Sequence, residues 1–96
     1  MVIDERLAKE SIVSVLNKYK NKTLTTMTMK EFLADHIIDC LNIYIEFDKI
    51  DYDNMFDETK KIVNMIICEY IDDSMRGDTK ERLIYEITNE LVDDIA

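Results

Sequence analysis

Residues 28–47, TMKEFLADHIIDCLNIYIEF, decide what fold this chain can adopt. At about 100° per residue, Glu31, Asp35, Asp39, Asn42 and Glu46 fall in a polar arc only about 80° wide. Nearly everything else is apolar: Phe32, Leu33, Ile37, Ile38, Cys40, Leu41, Ile43, Tyr44, Ile45 and Phe47. Thr28 and Glu31 have capping-box spacing, which predicts a helix start at TMKE. A helix apolar over so wide an arc is either the centre of a bundle or half covered by a second subunit. We expect the second, a homodimer through helix two with Ile38, Ile43 and Ile45 at its interface.

Three more helices read outward from this one. The first is predicted from about Ile3 to Lys20, with Ala8, Ile12, Val15, Leu16 and Tyr19 on one stripe. Lys18, Lys20 and Lys22 follow where the helix dipole favours cations. Residues 23–28, TLTTMT, read as a loop or a short extended piece. The third helix is expected from near Asp53 to Gly77, the only glycine, as a left-handed C-terminal cap. Asp78 and Glu81 repeat the capping-box spacing, and a fourth helix carries Leu83, Ile84, Ile87, Leu91 and Ile95 inward. With no proline to interrupt any of this, the reading is all-α: one acidic domain over residues 1–96, a small bundle of about four helices.

A chain of 96 residues with 47% hydrophobic content can build a core without staples. Its 21 acids against 12 bases leave a net charge of -9. That sign argues against nucleic acid or an anionic membrane as direct ligand, since both call for Lys and Arg. It fits a basic protein surface, a cation, or simple solubility. Cys40 and Cys68 lie in apolar periodic stretches and read as free buried thiols. No basic segment followed by an apolar run marks a leader, and the apolar runs are too short to span a bilayer, so a cytoplasmic location is expected. Fourteen Ile against seven Leu, without Trp or Pro, suggest an AT-rich genome.

No catalytic signature emerges. As a calcium loop, Asp51, Asp53 and Met55 would take the first ligand positions, but Phe56 falls where glycine is needed and Ile62 where the bidentate glutamate belongs. His36, Cys40 and Cys68 could be imagined around zinc, yet His36 is the only histidine and sits on the apolar arc. Glu69 with Asp72, and Glu90 with Asp93, have the ExxD spacing of helical pyrophosphohydrolases without the preceding ExxE pair. There is no glycine elbow or phosphate loop. The expectation is a non-enzymatic protein with no metal and no cofactor.

Charge distribution is the informative signal. Residues 1–30 hold six bases and three acids, residues 31–58 nine acids and one base, and residues 59–96 nine acids and five bases. The acids therefore concentrate on the polar arc of helix two (Asp35, Asp39, Glu46) and in the following stretch (Asp48, Asp51, Asp53, Asp57, Glu58). Carboxylates also close helices, at Glu46 and Asp48, Asp72 and Asp73, and Asp93 and Asp94. Each such charge typically costs about 0.3–1 kcal/mol through the dipole.

These features predict a docking face for a basic groove. Asp35 and Asp39 stand about 5–6 Å apart on a helix, with Glu46 about 10 Å further along the axis. Such intervals approximate the phosphates of a nucleic-acid strand, and Phe47, Tyr52 and Phe56 would supply apolar anchors. In being short, helical, strongly acidic and of low-GC composition, the chain is similar to phage-encoded DNA mimics that block restriction or CRISPR nucleases. That resemblance lies in overall make-up and transfers no site residue. It implies an inhibitor of a nuclease or other nucleic-acid-binding protein. The competing expectation is a homodimeric adaptor or regulatory partner, anti-sigma or antitoxin-like, binding through Ile38, Ile43, Ile45 and Phe47.

Overall fold

Asp4 opens the first helix of the computed structural model, which describes residues 3–19, 26–47, 49–70 and 77–95. Its side chain accepts from the Leu7 N–H at 3.2 Å, satisfying one of the amides that a helix start leaves unpaired. Helix α1 then runs Glu5–Lys18, with Glu5 in the first turn and Lys18 in the last, both signs matching the dipole. Residues 20, 22, 48, 72 and 73, which the sequence reading counted among the charged helix ends, lie outside the described residues.

Helix α2, Met27–Glu46, starts two residues earlier than its capping box suggested. Thr26, in extended conformation, accepts from the Met29 N–H at 3.2 Å, and Thr28 is an exposed member of the first turn. At the other end the Lys49 N–H reaches back to the Tyr44 carbonyl at 2.9 Å, the long closing bond of a Schellman ending. The Lys49 ammonium lies over the Tyr44 ring, 5.8 Å from its centroid.

Helix α3 is Met55–Tyr70 and α4 is Gly77–Ile95. Gly77 is therefore not the left-handed terminator of α3. It is the first residue of α4, so Asp78 lies inside the first turn instead of capping it. The lone glycine is helical and marks a start, not the expected stop.

Side-chain bonds fix the directions. Glu5 accepts from Asn42, Lys9 meets Asp35, and Asn17 accepts from the Lys30 ammonium, so α1 and α2 run antiparallel. Each helix packs on two others, α1 on α2 and α4, α3 on α2 and α4, while the diagonal pairs stay apart. The result is an up-down-up-down bundle, as short connections favour. Among the described residues no strand occurs.

Every residue assigned inward on α4 is buried, and so are Ala8, Ile12, Val15 and Leu16 of α1. Ile62, Val63, Ile66 and Ile67 complete the core from α3. Burying one such side chain contributes about 1.5–3 kcal/mol. The radius of gyration, 12.5 Å, is what a compact chain of this length gives, about 12–13 Å.

The wide apolar arc of α2 divides in three. Leu33, Ile37, Ile38 and Leu41 are buried in the chain's own core, and Cys40, Tyr44 and Ile45 are half-buried against it. Phe32, Ile43 and Phe47 are exposed at 53%, 53% and 67%. Three polar side chains were not expected inside: Lys30, 5% exposed; Thr88, whose hydroxyl donates to the Ile84 carbonyl at 2.7 Å; and Thr59, whose buried hydroxyl finds no partner among the described residues.

Candidate protein-docking face

The stretch between α2 and α3 is built on two apolar pegs. Ile50 and Met55, 8% and 3% exposed, turn into the core and leave the polar residues between them outside. Asp51 then turns back on its own chain, accepting from the Asn54 N–H at 2.9 Å and from the Asn54 side-chain amide at 3.2 Å. Its carboxylate organises the turn as an Asx-type brace. Asp53 and Tyr52 project freely, Tyr52 at 68% exposure.

The carboxylates of α2 behave as the helical wheel predicts: Asp35, Asp39 and Glu46 are all exposed. Their electrostatic surroundings differ. Asp35 faces Lys9 of α1 at 3.3 Å, so part of its charge is met within the molecule. Among the described residues neither Asp39 nor Glu46 has an ion-pair partner.

The remaining candidates fall elsewhere. Asp48 lies outside the described residues. Asp57 is exposed, but it lines the groove between α3 and α4 with Lys60 and Lys61, where cations offset it. Glu58 is half-buried and pairs with Lys61 at 3.1 Å. Phe56, expected as an anchor, is half-buried and stands edge-to-face against Tyr85 of α4, centroids 5.7 Å apart. Of the three proposed interface isoleucines, Ile38 is used up in the bundle core, Ile45 is half-buried, and Ile43 faces solvent. Of the predicted face, Asp39, Glu46 and Asp53 are exposed and without ion-pair partners among the described residues, with Phe47 and Tyr52 as exposed aromatic neighbours in sequence.

The sequence reading missed an aromatic cluster at the other end of α2. Tyr70 of α3 stands edge-to-face with Phe32 at 5.7 Å and with His36 at 5.4 Å, and its hydroxyl is 3.1 Å from His36 Nδ1. The signal was present as Phe32 and His36 one turn apart, but nothing in the spacing told that Tyr70 would complete them.

The two cysteines are free thiols. Both were expected buried, yet Cys68 is exposed and Cys40 half-buried. Burial, then the charges of Asp39 and Glu69, push the Cys40 thiol above its ordinary value. Among the described residues no group of three His, Cys, Asp or Glu side chains is placed to hold a metal ion, and no helix is long and apolar enough to cross a membrane.

No protein-family model matches the chain, and no curated protein or solved structure resembles it closely enough to count as a match.

Proposed function

We propose that this is a cytoplasmic protein-binding protein that lays its carboxylate face on the basic groove of a nucleic-acid-binding protein, as DNA-mimic inhibitors of nucleases do. The observation that carries this reading is the trio Asp39, Glu46 and Asp53: exposed, without ion-pair partners among the described residues, and interleaved with exposed Phe47 and Tyr52. A groove lined with Lys and Arg for phosphate attracts such a face at long range. The aromatic side chains then supply desolvated contact that charge alone lacks.

The test is pre-incubation with purified restriction endonucleases and guide-loaded CRISPR nucleases, with DNA cleavage as readout. Inhibition of a target weakens steeply with ionic strength and is lost in the triple variant Asp39→Lys, Glu46→Lys, Asp53→Lys. A control triple at Glu81, Glu90 and Asp93, exposed on α4, changes net charge equally and keeps inhibition. Equal loss in both triples means that net charge alone acts and no docking face exists.

A second reading is favoured by the exposed Phe32, Ile43 and Phe47: a homodimeric adaptor or regulatory partner of anti-sigma or antitoxin type, joined through the outer side of α2. Association of that kind is insensitive to salt, and light scattering distinguishes dimer from monomer.

A further inference from the structure

We infer that the exposed stripe of α2, Phe32, His36, Ile43 and Phe47, is a seat for a cationic amphipathic helix of the partner protein. This deepens the proposed function and rests on it, because it says what the partner must carry beside its basic surface.

The four residues fall within about 60° of one another on the wheel and extend about 22 Å along the helix. That length suits a partner helix offering apolar side chains at i, i+3 or i+4, and i+7. The fold makes little use of the stripe: its three large apolar side chains are more than half exposed, while the opposite side of α2 already fills the core. Its upper end is fixed in place. Phe32, His36 and Tyr70 interlock edge-to-face, with Tyr70 bonded to His36, so a partner meets a formed aromatic ledge and bears little ordering cost.

Charge selects the occupant. Asp39 and Glu46 border the stripe on one flank, and Cys40 borders it on the other. The ion pairs Lys9 with Asp35 and Lys61 with Glu58 leave both of these acids unmatched among the described residues. Lys49 is held over the Tyr44 ring. An apolar strip with an anionic rim along one flank complements a helix that carries Lys or Arg beside its apolar residues.

A second copy of this chain is a poor occupant. Two α2 stripes packed antiparallel would set Asp39 and Glu46 of each copy on the same side as those of the other. A parallel packing, like the antiparallel one, still brings together chains of net charge -9 each.

The experiment uses the full chain and a labelled Leu/Lys helical peptide of about 15 residues, matching the stripe at 1.5 Å per residue. A peptide of identical composition with its Leu residues scattered around the helix is the control. Fluorescence anisotropy is expected to show the amphipathic peptide binding at least about tenfold more tightly than the scattered one. Ile43→Ala and Phe47→Ala each weaken the amphipathic peptide about tenfold and leave the scattered one unchanged. Both positions are exposed, and having two variants keeps the test decisive if one loses helicity by circular dichroism. If neither alanine variant matters while Asp39→Asn and Glu46→Gln weaken both peptides equally, the seat is refuted and the acidic docking face stands. Should the alanine variants weaken binding and the charge variants have no effect, the acidic-face reading falls and with it the cationic partner. A dimer that Phe47→Ala dissociates, and with which the peptide does not compete, makes the second copy the occupant and overturns the inference.

Discussion

The Tyr19 hydroxyl donates to a Glu86 carboxylate oxygen at 2.7 Å, tying the end of α1 to the middle of α4. This bond explains why Glu86 is unsuitable as a neutral surface position: it is half-buried and engaged. The same acceptor, followed by burial and the Glu86 charge, holds the Tyr19 phenol above its ordinary value. A phenol raised in the folded state contributes stability that is complete below its unfolded value, near pH 10, and is lost as pH climbs through the folded value. Stability is therefore expected to fall in the alkaline range above pH 10. Thermal melts of Glu86→Gln, which retains an acceptor without the charge, should show a smaller alkaline loss.

Thr59→Val is expected to stabilise the protein. Its hydroxyl is fully buried without a partner among the described residues, and an unsatisfied group of this kind costs about 1–3 kcal/mol. Since 1 kcal/mol shifts Tm by about 4–8 °C in a domain of this size, a rise of several degrees is expected in a thermal melt. No rise would mean that the hydroxyl has found a partner.

Gly77→Ala also has a defined sign. A left-handed cap would make alanine destabilising by about 1 kcal/mol. At the start of α4, with nothing among the described residues within 4 Å of an added Cβ, alanine instead gains about 0.4–1 kcal/mol by restricting the unfolded chain. Urea unfolding measures which direction is right.

Ile38→Ala and Ile43→Ala separate core from surface on one helix. The first is expected to cost about 2–5 kcal/mol through the cavity it leaves. The second should stay within about 0.5 kcal/mol. Equal effects would contradict the division of α2 into a buried sector and an exposed stripe.

Cys68 is expected to alkylate faster than Cys40 near pH 8. Cys68 is exposed, whereas Cys40 is half-buried and its thiol is kept protonated by burial and by neighbouring carboxylates. Mass spectrometry of partially labelled protein reads the order directly.

The helices and their inward faces could be read from periodicity because an apolar side chain recurring at helical spacing has only one way to be buried. Leu83, Ile84, Ile87, Leu91 and Ile95 illustrate this. Their ends were harder. Thr26 and Thr28 offer the same hydroxyl two residues apart, and only backbone geometry selects Thr26. Gly77 fits a stop as well as a start until the chain direction around it is known. For the docking face, one-dimensional spacing gave exposure on α2 correctly, but it could not report cross-helix events: Lys9 reaching Asp35, Tyr85 covering Phe56, Tyr70 completing the cluster on Phe32. It also missed Lys30, whose long side chain reaches Asn17 from a buried position.

The two pegs Ile50 and Met55 carry a kinetic consequence. Together with the Asp51 brace, they fix the backbone that displays Tyr52 and Asp53 before any partner arrives. The docking face proposed above, already in its final shape, would have no folding step to wait for. Its capture rate would then be set by diffusion and by the field of the molecule, and would rise as salt is withdrawn. Loosening a peg, as in Met55→Ala, would slow capture without altering a single charge.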